Sequence, residues 1–232
     1  MSDLKITKLY EGTWRIAEPG VCFFLLEGKD FALLIDSGME TTNAKEVAEG
    51  LTSLPIRLLN THADGDHTAS NYEFDEFYMN PAEATNYYKN RRPGTGKIIP
   101  LEDKDILDLG NRKLEVVALA GHTPGSIGLI DLDNRVLFSG DVVQNDTIYM
   151  FGPNREIHGF ILSLEKIGKM TDKFDIIYAS HGDESVSPDI IPAIKKGAED
   201  VLAGKLPSVM CDVHGMQVPR YDLGVAGIYY DL

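Results

Sequence analysis

Cysteine, tryptophan, positive charge and long apolar runs are what this 232-residue sequence has least of. Its two cysteines, Cys22 and Cys211, lie far apart and outside any CxxC spacing, so two buried reduced thiols are expected rather than a disulfide. No run of about eighteen apolar residues occurs, so no segment is expected to span a membrane. Residues 1–5 show no basic region leading into an apolar stretch. No signal peptide is therefore expected, and the expected location is the cytoplasm. Against 22 Lys and Arg stand 36 Asp and Glu, a net charge of −14, which argues against a nucleic-acid partner because phosphate neutralisation is the main source of affinity there. The one dense basic segment, residues 91–97, is rich in Pro and Gly and reads as a loop, with a substrate-binding role as the alternative.

What is present is ordinary for a globular chain, with 43% hydrophobic and 25% charged residues, enough to bury a substantial core. Residues 5–9, 13–17, 21–27 and 31–36 are short runs of strand formers separated by Gly- and Pro-containing turns, which predicts an antiparallel meander. A helix capped by Thr41 or Thr42 is predicted to run to about Leu51, followed by a strand over 55–60. Further strands are predicted over 74–79, 113–119, 126–132, 135–139 and 175–180, with three more at the end of the chain. Helices are predicted from Pro81 to Tyr88, within 153–171, and over 188–204. No linker composition interrupts this order. It predicts two similar halves packed as one domain over residues 1–232.

The densest chemistry lies in residues 60–67, Asn-Thr-His-Ala-Asp-Gly-Asp-His, directly after an apolar strand. Residues two apart in an extended segment point the same way, so His62 and Asp64 can share one target. Asp66 and His67, beyond the glycine, can turn toward a second. Nitrogen and oxygen donors so grouped point to a metal site, against the alternative of a polar turn. His122, Asp141 and His181 also stand where a predicted strand gives way to a loop, each beside small residues that let the backbone turn.

The order His62-x-Asp64-x-Asp66-His67, then His122, Asp141 and His181, resembles the metallo-β-lactamase superfamily, whose usual first motif is H-x-H-x-D-H. Residues 34–38 (Leu-Ile-Asp-Ser-Gly), Thr61 and the turn over 121–126 share the resemblance. It implies an α/β (α+β) four-layer αββα sandwich with a site along one sheet edge. It also implies two metal ions: His62, Asp64 and His122 on the first, Asp66, His67 and His181 on the second, and Asp141 on both. The implied activity is metal-dependent hydrolysis, a bridging hydroxide attacking an ester, thioester, lactone or phosphoester, with Asp66 or Asp141 as catalytic proton acceptor. The partner so implied is a small-molecule substrate, and a homodimer is compatible with it. True zinc β-lactamases lack the bridging aspartate, so antibiotic hydrolysis is not expected.

Two departures stand out. The family often has a glycine pair or Gly-Asn soon after the last motif histidine, where this chain runs Thr68-Ala69-Ser70-Asn71. Asp64 stands where the family usually has histidine, and its hard anionic oxygen shifts preference from zinc, the family default, toward iron or manganese. That leaves open a di-iron oxidoreductase like the flavodiiron proteins, which would need a separate redox partner, and a binding protein without turnover. Beyond the set, His158 reads as an exposed or capping residue, His214 as a surface one, and Tyr149, Met150 and Phe151 as an apolar patch that lines a pocket or packs in the core. No tyrosine follows Asp141 closely as in lactonases of the family, and the strand-like tail differs from the helical region of glyoxalase II.

Overall fold

Strand formers broken by glycines of positive φ, Gly12 at 64° and Gly20 at 93°, set the first elements of the chain. The computed structural model describes residues 4–89 and 96–231, so most of the basic segment 91–97 lies outside the described residues. The chain divides into two compact units, residues 1–116 with 131–133, and residues 117–130 with 134–232.

In the first unit, β1 (Lys5–Tyr10), β2 (Thr13–Glu18), β3 (Val21–Glu27) and β4 (Ala32–Ile35) pair antiparallel in chain order, as the turn signals predict. β4, β5 (Ile56–Leu59), β6 (Glu76–Met79) and β7 (Lys97–Pro100) continue the same sheet in parallel, giving seven strands. α1 (Ala44–Glu49) makes the crossover between β4 and β5, and α2 (Ala84–Lys89) follows a short 3-10 turn begun by Pro81. Ala44 and Ala48 of α1 and Tyr87 of α2 pack with Leu34, Leu58 and Phe77 in one apolar core.

α1 starts later than predicted, and neither threonine caps it. The amide of Ala44 donates to Ser70 Oγ and that of Lys45 to Glu73 Oε2, while Thr41 Oγ1 donates to Glu18. Residues distant in sequence do the capping. Ser70, in the stretch that departs from the family's glycines, thereby ties the motif loop to this helix. Cys22 is buried in β3, and burial pushes its thiol up to about 11. Cys211 is only half-buried, which corrects the expectation of two buried thiols; neither forms a disulfide.

β8 (Ile106–Asp108) pairs antiparallel with the first residues of β9 (Lys113–Ala118), which continues into the second unit. There follow β10 (Ile127–Asp131), β11 (Val136–Gly140), β12 (Thr147–Tyr149), α3 (Ile157–Gly168), β13 (Ile176–Ala179), α4 (Ile190–Leu202), β14 (Ser208–Val213), β15 (Met216–Asp222) and β16 (Gly227–Tyr229). β13 and β11 pair in parallel, joined through α3, with β10 and β9 next in order. The last strands form a separate sheet ordered β12-β16-β15-β14, with β14 at its edge exposing Val209 and Met210. Phe160, Leu164 and Ile167 of α3 pack with Ile191, Ile194 and Val201 of α4 in the second core.

The two units are thus less alike than the element order predicts: one seven-stranded sheet against strands shared between two sheets. The short strands β7, β8 and β12 have no sequence prediction, being too brief to show a period. Among the described residues, no helix is long and apolar enough to cross a membrane.

Candidate active site

Parallel pairing puts the C-terminal ends of β4 and β5 on one edge, with Ile35 opposite Leu59. Asp36 leaves the first strand and Asn60-Thr61-His62 the second. Asp36 sits at φ 65°, a left-handed conformation that a non-glycine residue adopts at a cost. Its buried carboxylate repays this in contacts: Oδ1 accepts the Thr61 amide at 2.8 Å, and Oδ2 accepts the Thr61 hydroxyl at 2.8 Å. The same Oδ2 lies 2.9 Å from His67 Nδ1.

These contacts decide how both histidines present themselves. The Thr61 hydroxyl gives its proton to Asp36, so it offers a lone pair to His62 Nδ1, 3.0 Å away. Both rings then carry hydrogen on Nδ1, which leaves the Nε2 lone pairs for a ligand. His62 Nε2 is 3.5 Å from Asp64 Oδ2, and His67 Nε2 is 3.4 Å from Asp66 Oδ2. The structure therefore brings His62 together with Asp64, and Asp66 together with His67. The rings of His62 and His67 stand 4.1 Å apart.

The loop between is held from below. The Asn60 amide donates to the His67 carbonyl at 2.8 Å, Asn71 donates to Asn60 Oδ1 at 2.7 Å, and Ser37 donates to Asn71 Oδ1 at 2.7 Å. Glu83, fully buried, accepts the Ala63 amide at 2.9 Å.

The second unit gathers the other three residues. β11 and β13 are parallel with Gly140 opposite Ala179, so Asp141 and His181 emerge from neighbouring strand ends on one edge. Asp141 Oδ2 lies 3.2 Å from His181 Nε2 and 3.5 Å from His122 Nε2, a carboxylate oxygen between two imidazoles. His122 Nδ1 is 3.0 Å from the Tyr149 carbonyl, which can only accept, so Nδ1 carries the hydrogen and Nε2, facing Asp141, carries the lone pair.

α3 fixes the His122 loop. Ser163 Oγ donates to the Ala120 carbonyl at 2.6 Å and Lys166 Nζ to Ala118 at 3.0 Å. Gly121, at φ 134°, presses on Phe160 so closely that a Cβ would lie 2.2 Å from its backbone nitrogen. Asn145 braces the His181 loop, its Oδ1 accepting the Asp183 amide at 3.0 Å and its Nδ2 donating to Asp183 Oδ2.

Other candidates fall elsewhere. His158 is exposed beside Glu156, the cap of α3, with Nδ1 3.0 Å from Glu156 Oε1, and His214 is exposed in the turn between β14 and β15. Tyr149 ends β12; Met150 is buried in the core, while Phe151 stays half-buried beside Tyr149. A cavity of ≈ 320 Å³ opens where β5 and β6 share a single register pair, lined by Lys45, Arg57, Glu73 and Tyr78, and none of the seven metal-ligand candidates lines it. Donor chemistry, not cavity size, locates the site. The residues without a sequence-derived role are the supports Asp36, Glu83, Asn145 and the Tyr149 carbonyl. Only Asp36 gave a signal, as part of the motif over 34–38.

The family described as the metallo-beta-lactamase superfamily matches residues 17–183, a span containing all seven of those candidates. Acyl-coenzyme A thioesterase MBLAC2 of Homo sapiens is 25% identical over 189 residues, 65% of this chain and 68% of that protein. Hydroxyacylglutathione hydrolase 1 of Vibrio vulnificus is 32% identical over 158 residues, 68% of this chain and 60% of that protein. The solved metallo-beta-lactamase from Pontibacter korlensis superposes with a TM-score of 0.72 at 17% identity, covering 85% of this chain and 100% of that one, which shows the fold expected from the motif. The chain belongs to the metallo-β-lactamase superfamily and is a metallo-hydrolase of that fold.

Proposed function

We propose that the chain hydrolyses a thioester at a centre holding two metal ions, with His62, Asp64 and His122 on one, Asp66, His67 and His181 on the other, and Asp141 on both. The observation that carries this reading is the set of Nδ1 contacts. In His62, His67 and His122 that nitrogen lies 3.0, 2.9 and 3.0 Å from an oxygen, so three imidazoles present Nε2 beside carboxylates. Such a donor set fits a divalent ion. Bound metal ions supply Lewis acidity toward the scissile carbonyl and toward water.

The chain's own groups do the rest. Asp36 and the Tyr149 carbonyl hold the rings in one tautomer. Asp66, whose side chain is 29% exposed against 9% for Asp141, is the carboxylate better placed to pass a proton to solvent. A thioester is chosen over a lactone or phosphoester because a relative is a thioesterase and another acts on an acylglutathione, itself a thioester.

Asp64 supports a second reading, a di-iron redox centre served by a separate electron donor, since a third carboxylate makes the site one charge less positive than histidine would. Protein loaded in turn with zinc, manganese and iron(II) separates the two. About two ions per chain, with thioesters cleaved faster than oxygen esters, lactones and phosphodiesters, is expected. Fewer than about a tenth of an ion per chain under every loading would overturn the metal centre. Iron with reversible redox spectra and no thioester turnover would establish the second reading instead. In Asp64→His the preference should move toward zinc.

A further inference from the structure

β12 and β16 pair in parallel with Tyr149 opposite Tyr229. Along β12 and its extension Ile148 and Met150 enter the core, so Tyr149 and Phe151 lie on the other face. The rings of Tyr149 and Tyr229 stand 5.0 Å apart edge to face, Tyr149 and Phe151 5.6 Å, and Phe151 and Tyr229 6.0 Å. His214 borders them, 6.4 Å from Tyr149. Three aromatic rings in mutual contact are ordinarily buried, yet Tyr149 is 37% exposed and the other two are half-buried. Arg220, the antiparallel partner of Tyr229, lays its guanidinium across Gly227 and donates from Nε to Thr147 Oγ1 at 3.0 Å, so this cation bordering the three rings is engaged beside them. The aromatic group is also attached directly to the site, because the Tyr149 carbonyl is the oxygen that orients His122.

From this we infer that Tyr149, Phe151 and Tyr229, with His214 at their margin, form an apolar shelf that binds the acyl chain of the substrate and sets its preferred length. The inference rests on the thioester reading proposed above. The three ring faces themselves carry no charge and suit a hydrocarbon chain. Its one-residue tether to His122 places it beside the group attached to the reacting carbonyl.

The test uses thioesters of one thiol, N-acetylcysteamine, with acetyl to decanoyl chains, on the metal-loaded enzyme and on the Phe151→Ala and Tyr229→Ala variants. The octanoyl-to-acetyl ratio of kcat/KM should fall about tenfold in each variant, mainly through KM. An unchanged ratio in both variants would overturn the shelf. A parallel measurement needs no turnover: calorimetric titration with the non-hydrolysable thioether N-acetyl-S-octylcysteamine. Wild type should bind it about tenfold more tightly than either variant, and equal affinity, or no binding by wild type, would overturn the shelf. Ring-dependent binding without hydrolysis of any thioester would leave the shelf standing and overturn the thioester reading alone. Phe151→Leu, which keeps apolar volume in a loop, should recover most of the octanoyl preference and so separates loss of the shelf from loss of fold.

Discussion

At the scale of single residues, Asp36 has the widest reach. One carboxylate orients two imidazoles, one directly and one through Thr61, and it does so from a backbone conformation that costs energy. In Asp36→Asn the acceptor facing His67 Nδ1 or Thr61 becomes an amide donor, and the tautomer that leaves Nε2 open is no longer enforced. Metal affinity should fall by about 10- to 100-fold, measured by competition with a chromophoric chelator. Retention equal to wild type would show that Asp36 only supports the fold. The seven candidate ligands were legible in the sequence because each side chain carries its own chemistry at a strand end. The supports were not, because their partners are set by strand pairing: nothing in the order of residues says that Asp36 will meet His67.

At the scale of elements, α3 joins the apolar core to the His122 loop. Its periodicity was plain in Ile157, Phe160, Leu164 and Ile167, but its N-terminal cap was not. Glu156 closes the helix by accepting the His158 amide at 2.9 Å and that of Gly159 as well. Burial pushes the Glu156 carboxyl up, yet those two amides and the His158 ring outweigh it and hold it below the ordinary carboxylate range. Because the folded value is depressed, the stabilisation is complete above the unfolded carboxylate range and is lost as pH falls through the folded value. Glu156→Ala should cost about 1 kcal/mol near neutral pH, seen as a lower Tm, and the gap from wild type should close in acid. A gap that does not change with pH would point to lost packing instead. The late start of α1 teaches the same lesson, since Ser70 and Glu73 cap it from a part of the chain no local pattern reaches.

At the scale of the whole molecule, charge is spent in two very different ways. In the first unit Arg112 is buried against Asp131, its Nε 2.8 Å and Nη2 2.6 Å from Oδ2, while Nη1 donates to the Gly12 carbonyl and Nη2 to Thr13 Oγ1. Nothing in the local sequence marks Arg112 or Asp131, because their burial follows only from the folded neighbours of both. Arg112→Met leaves Asp131 charged and unmatched in the interior, and should cost about 3–5 kcal/mol in urea unfolding. A loss below about 1 kcal/mol would mean that water reaches the carboxylate. The remaining charges leave a net of −14, with an isoelectric point near 4.8. That repulsion bears on β14, the edge strand with exposed Val209 and Met210. An outer strand offers unmatched amides and carbonyls to any strand that comes alongside, and apolar side chains reward the approach. At neutral pH every molecule repels the next. Close to pH 4.8, or in concentrated salt, that barrier is gone, and the colloidal lifetime of the protein passes from its charge to one short strip of backbone.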